Sequence, residues 1–254
     1  MKTALIIYNN PWILSQSIYV IKKLKITDFD IVVNENYTHN KKQFLQSEKW
    51  LKEHTDYSIL SLENLGKDYD YIIRPTPTKD DGLWFLYEQF KDSEFLFIEE
   101  GMDLYQNFNI DKLIGKEKDI FTKSNLFLSH PEKLWYWTKM PIQEVINQLD
   151  IWFKEELQWL PKTIDAIVYT EPDNGKDYKG KIEELLKRYS SILLKKHPRD
   201  DTSYTHDTNV IEVPRALPGQ LLFYKYPKAL FILTWTSTLE LYEPKDLNIK
   251  KLYF

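Results

Sequence analysis

Ser191–Asp200 reads Ser-Ile-Leu-Leu-Lys-Lys-His-Pro-Arg-Asp. Ile192, Leu193 and Leu194 have the length and bounds of a buried parallel strand, which runs straight into Lys195, Lys196, His197, Pro198 and Arg199. A proline stops the strand ladder and restricts the residue before it. In open α/β sheets the crevice outside the carboxyl ends of the strands is where ligands bind. His197 with Lys195, Lys196 and Arg199 around it therefore reads as a cationic site for a phosphate. The plainer alternative is a His-Pro pair that only closes a strand.

Outward from this stretch, apolar and amphipathic runs alternate. Asp165–Tyr169 reads as a strand, and Asp177–Tyr189 as a helix with Ile182, Leu185 and Leu186 facing inward. Val210–Val213 reads as a further strand and Leu217–Tyr226 as a short helix or turn. Ala229–Leu233 is a strand that ends in Thr234-Trp235-Thr236-Ser237-Thr238. The polar run Asp200–Asn209 between them reads as a mobile loop, with a lid or acceptor-binding loop as its functional version.

The first half repeats the pattern. Strands are expected at Ala4–Tyr8, Phe29–Val33, Tyr57–Leu62, Tyr69–Ile73 and Glu94–Ile98, and helices at Pro11–Leu24, Lys41–His54 and Leu83–Phe90. On the first helix Ile13, Leu14, Ile18 and Ile21 share a side. The last of these strands runs into Glu99-Glu100-Gly101. Arg74 follows the fourth strand, as either a contact for a substrate carboxylate or a surface arginine. Between the halves, residues 111–161 are rich in aromatics (Trp135, Tyr136, Trp137, Trp152, Phe153, Trp159), and Ile142–Trp159 has helical periodicity. That stretch reads as a connector with a helical segment; its aromatics suit core packing, or alternatively sugar stacking or a lipid-facing surface. The expected fold class is α/β: a Rossmann-like domain over residues 1–110, the connector over 111–161, and a second Rossmann-like domain over 162–254, the two facing a central cleft.

Composition narrows the function. Among 254 residues, 34 Lys+Arg against 38 Asp+Glu give a formal charge of −4, which argues against a dedicated nucleic-acid binder and leaves anion binding to local patches. There are no cysteines, so disulfides and thiolate metal sites are excluded and a cytoplasmic setting is compatible. The opening MKTALIIYNN is too short in its apolar run for a signal peptide, and no stretch approaches the roughly 20 apolar residues of a membrane span. Any membrane contact would be peripheral, at the inner face. His54 is placed on a surface helix, His39 and His206 in polar loops, and no pair has metal-site spacing.

Three polar clusters thus sit at strand ends: Glu99-Glu100-Gly101, His197-Pro198-Arg199 and Thr236-Ser237-Thr238. A carboxylate can take a proton from an attacking hydroxyl, a cationic imidazole can stabilise or protonate a departing phosphate, and hydroxyls at a helix start can hold that phosphate. Together these are the parts for transfer from an activated phosphate ester. Singly, the glutamates would be a solvated turn and the Thr/Ser run a helix cap.

The same clusters resemble the motifs of bacterial sialyltransferases. Phe95–Tyr105, FLFIEEGMDLY, looks like their acidic-acidic-glycine motif, Lys195–Arg199 like their His-Pro motif, and Thr236-Ser237-Thr238 like their downstream Ser/Thr motif, about forty residues after the second. The resemblance is to glycosyltransferase family 52, the lipooligosaccharide sialyltransferases, with capsule polysialyltransferases related by the same motifs. It implies GT-B architecture, with an acceptor-side role for the domain over 1–110 and a nucleotide-sugar-binding role for the domain over 162–254. The resemblance also implies a metal-independent, inverting enzyme with no cofactor, using CMP-sialic acid as donor and a glycan as acceptor. It makes Glu99 or Glu100 the general base, Glu99 being favoured, and His197 the general acid or its electrostatic equivalent. Ser237, with Thr236 or Thr238, would grip the CMP phosphate; Gly101, Lys195, Pro198 and Arg199 would complete the substrate-binding set. Where related enzymes place a glutamate for the ribose, Pro218-Gly219-Gln220 offers Gln220, a weaker partner than a carboxylate. A second His-Pro, His130-Pro131, follows the apolar run Asn125–Ser129; His197 is preferred for its basic neighbours and for the distance to the third motif. Only 16 residues follow Thr238, so one domain is expected to be trimmed. The other readings are transfer from a different nucleotide sugar and a non-catalytic nucleotide- or glycan-binding protein.

Overall fold

In both halves of the chain, short apolar runs bounded by turn residues become strands of all-parallel sheets, which is the form such strands take when both sheet faces are covered. The computed structural model describes residues 2–8, 10–33, 58–60, 64–75, 85–98, 125–128, 138–139, 141–170, 176–197, 200–234 and 246–252. The chain divides into two units, Met1–Trp152 and Phe153–Phe254.

In the first unit the strands are β1 (Thr3–Tyr8), β2 (Asp28–Val33), β3 (Ser58–Leu60), β4 (Tyr71–Pro75), β5 (Glu94–Ile98), β6 (Asn125–Leu128) and β7 (Thr138–Lys139). They pair in parallel in the order β3-β2-β1-β4-β5-β6-β7. This is the doubly wound order, with its switch point between β1 and β4. Helix α1 (Pro11–Leu24) begins with proline in its first turn, and the Asn10 side chain accepts a hydrogen bond from Ile13 N–H at 3.0 Å. Sequence periodicity puts one side of α1 inward, yet Ser15, Gln16 and Ser17 are also fully buried. The reason is a second packing partner: α1 lies against β1, β4 and β5 and also against α3 (Ile142–Trp152), reached after the short α2 (Phe85–Gln89). The hydroxyls of Ser15 and Ser17 are satisfied by the carbonyls of Trp12 and Ile13. The 111–161 stretch, read as a connector, thus contributes β6, β7 and α3 to the first unit.

The second unit opens with α4 (Lys154–Trp159), so the single helix expected over Ile142–Trp159 breaks at Phe153. Its strands are β8 (Ala166–Tyr169), β9 (Ile192–Lys195), β10 (Val210–Glu212), β11 (Leu230–Leu233) and β12 (Asn248–Lys251), with helices α5 (Lys176–Leu186) and α6 (Gly219–Lys225). The parallel order β10-β9-β8-β11-β12 repeats that of the first sheet, with the switch point between β8 and β11. On one face α5 supplies Ile182, Leu185 and Leu186 to a core with Val168, Leu194 and Ile232. On the other, Phe223 of α6 meets Phe231 edge to face at 4.9 Å and Tyr169 at 5.8 Å. The expected α/β class with two Rossmann-like units stands on these two strand orders. No described helix is long and apolar enough to cross a membrane.

Candidate functional site

Register places the carboxyl ends of the second sheet in one row: Tyr169 of β8 lies level with Lys195 of β9 and with Leu233 of β11. His197 therefore leaves the sheet beside the β8 exit, next to the switch point. Thr170, the first residue beyond β8, is buried and continues the ladder by donating its N–H to Lys195 O at 3.2 Å. Its hydroxyl accepts from His197 N–H at 3.2 Å and donates to Asp200 Oδ2 at 2.5 Å. Asp200 N–H donates back to the His197 carbonyl at 2.9 Å.

Asp200 is wholly buried. A buried carboxylate persists only where donors replace its water. Here Oδ2 accepts from Thr170 Oγ and from Tyr204 Oη at 2.8 Å, and Oδ1 from Thr202 N–H at 3.0 Å. Burial, reinforced by the hydrogen bond to Asp200, pushes the Tyr204 phenol far above its usual range, so it remains a donor. The run Asp200–Asn209, expected as a mobile loop, is instead tied down. Tyr204 sits in the core under α5, Thr205 N–H donates to Glu183 Oε1 at 2.6 Å, and Asn209 Nδ2 donates to Tyr189 O at 2.7 Å.

The two lysines before His197 anchor the same strand exit. Lys195 is 5% exposed, and its ammonium donates to the carbonyls of Lys196 (3.1 Å) and Arg215 (3.0 Å). Burial first, and then the charge of Arg215, pulls its pKa down to about 7. Lys196 donates to Thr202 O and lies 5.5 Å from the centre of the Tyr204 ring. Gln220, also buried, stands in the first turn of α6, where the Tyr169 hydroxyl holds Gly219 O at 3.0 Å. At the end of β11 the Thr234 hydroxyl donates to Tyr169 O and is met by Tyr178 Oη, each at 2.7 Å.

No family model matches the chain, and no curated protein matches it. Among solved structures it is similar to the wall teichoic acid polymerase TagF soaked with CDPG, at 12% identity, covering 95% of this chain and 67% of that one with a TM-score of 0.48. It is also similar to UDP-GlcNAc 2-epimerase from Neisseria meningitidis bound to UDP-GlcNAc, at 14% identity, covering 92% and 78%, with a TM-score of 0.48. At that level the fold continues to rest on the chain's own strand orders.

Of the site residues expected from sequence, Lys195, His197 and Gln220 are described, and all three belong to the carboxyl-end region of the second sheet. Glu99, Glu100, Gly101, Pro198, Arg199, Thr236, Ser237 and Thr238 lie outside the described residues, as do His39, His54, His130 and Pro131. Arg74 is not a surface arginine: it is 1% exposed at the end of β4, its Nε donates to Pro75 O at 3.3 Å, and its guanidinium lies 5.7 Å from the centre of the Tyr87 ring. Thr170, Asp200 and Tyr204 escape a sequence reading. The one local signal is Tyr204, a lone aromatic in a polar run, four residues after an aspartate.

Proposed function

We propose that the chain is a sialyltransferase of GT-B type that moves sialic acid from CMP-sialic acid to a glycan hydroxyl, such as a galactoside of a bacterial surface polysaccharide or lipooligosaccharide, inverting and without a metal. The observation that carries this reading is the position of His197: it leaves a buried parallel strand beside the switch point of a Rossmann-ordered sheet, with its backbone hydrogen-bonded on both sides. The motif resemblance supplies the donor.

In the reaction the acceptor oxygen forms the new glycosidic bond as the bond from the sugar's anomeric carbon to the CMP phosphate breaks. Glu99 or Glu100 takes the hydroxyl proton, and His197 neutralises or protonates the departing phosphate. Thr236, Ser237 and Thr238 bind that phosphate, with Arg199 adding charge. The acceptor is met on the cytoplasmic side, at the inner face of the membrane. Glutamine at 220 favours one rival, a transferase for another nucleotide sugar.

Thermal stabilisation by CMP, UDP, GDP and their sugar forms, with His197→Ala as control, separates the readings. The expected result is a selective rise with CMP that His197→Ala loses, together with CMP release that falls at least about 100-fold in that variant. A rise with UDP or GDP alone would replace the donor. No response to any nucleotide and no CMP release with any acceptor would end the transferase reading.

A further inference from the structure

The hydrogen bonds around His197 do something that its position alone does not. A residue's Cα–Cβ direction follows from the two peptide groups that flank its Cα, since φ and ψ are the only soft backbone dihedrals. For His197 both groups are held. The peptide before it is fixed by its N–H to Thr170 Oγ, and the peptide after it by its carbonyl to Asp200 N–H. Thr170 and Asp200 are themselves joined, and Asp200 is braced by Tyr204 and by Thr202 N–H. The three side chains are 7%, 0% and 6% exposed, so the bonds of Asp200 to Thr170 and Tyr204 are shielded from water, while the His197 bond is partly buried.

We propose that Thr170, Asp200 and Tyr204 are positioning residues that aim the His197 imidazole, with Thr170 as the joint. Its one hydroxyl accepts from the histidine backbone and donates to the carboxylate, so the anion of Asp200 polarises the hydroxyl that holds His197. The network leaves the imidazole only its side-chain torsions, and that preorganises it for a phosphate arriving at the strand end. This inference rests on the reading of His197 as the phosphate-facing group, and its test includes a measurement that does not.

The decisive pair is Thr170→Ser, which keeps the hydroxyl, and Thr170→Val, which keeps the shape and removes it. With CMP-sialic acid, Thr170→Val is expected to lower kcat by about 100-fold, the scale of an ångström-sized misplacement, with little change in KM. Thr170→Ser is expected to stay close to wild type, and Tyr204→Phe to fall between them. Independently of any donor, amide exchange at His197 in the folded protein should quicken by about tenfold in Thr170→Val and not in Thr170→Ser. Equal kcat in serine and valine variants of an active enzyme would overturn the proposal, and so would unchanged exchange at His197. Faster exchange in the valine variant of a protein that turns over no donor would uphold the positioning network and overturn the sialyltransferase reading instead.

Discussion

The two sheets share a strand order but secure their carboxyl ends by different means. At the exit of β1 the fixing bond is local: Asn10 caps the helix it precedes, reaching three residues along the chain to Ile13 N–H. At the exits of β8 and β9 the fixing bonds are remote, since Thr170 reaches 27 residues to His197 and 30 residues to Asp200. A local cap acts on one helix end. A remote network ties two strand exits and a ten-residue loop into one unit, and removing its hub, Asp200, leaves Thr170, Tyr204 and Thr202 without their acceptor. The difference predicts that equal-sized truncations at the two places have unequal costs.

The largest effect is expected at Asp200. Asp200→Ala leaves the Thr170 and Tyr204 hydroxyls and Thr202 N–H in a buried place without their acceptor, and each such group costs about 1–3 kcal/mol. Urea unfolding should show a loss of about 3 kcal/mol or more. Asp200→Asn, which keeps one acceptor oxygen, should lose clearly less. If alanine and asparagine cost the same, the carboxylate is not the hub of the network.

The next effect is a pH dependence at Lys195, on the same exit. Its pKa is about 7 in the folded protein, below the ordinary 10.5. Between these values the unfolded chain binds more protons than the folded one, so this group makes stability rise with pH from about 7 upward. Below pH 7 the ammonium is charged in both states and the burial penalty is present in full. Lys195→Met abolishes the titration. The unfolding free energy of wild type relative to Lys195→Met should therefore climb between pH 7 and pH 9, with a slope of up to about 1.4 kcal/mol per pH unit. A difference that stays flat over that range would mean that the ammonium is solvated or paired with an anion.

The same split between local and remote decides what is legible in the sequence. The limits of α1 follow from a proline and an apolar stripe, and those of β5 from an uninterrupted apolar run; both elements lie at the expected residues. The strand that leads to His197 is legible for the same reason. By contrast, β12 is Asn-Ile-Lys-Lys, partly exposed along its length, and is a strand only because it pairs with the edge of β11. The burial of Ser15, Gln16 and Ser17 depends on α3, more than a hundred residues later. The Thr170–Asp200–Tyr204 network has no period and no motif; it is polar residues brought together by strand order. A sequence reading therefore finds the histidine and misses what aims it.

The smallest effect is expected at the local cap. Asn10→Ala removes the side-chain acceptor from Ile13 N–H, and helix caps of this kind contribute about 1 kcal/mol. The N–H left behind is in the first turn of a helix whose opening residues are buried, so water restores the bond poorly and the loss should fall in the upper part of the usual range. Asn10→Ser and Asn10→Asp keep an acceptor oxygen at the cap and should recover most of the difference; Asn10→Gly should lose only a few tenths of a kcal/mol. None of these variants is expected to change amide exchange at His197, because the bond they remove joins Asn10 to Ile13, three residues along the chain. A cap variant that did quicken exchange there would show that the two strand exits, alike in topology, are also coupled in energy.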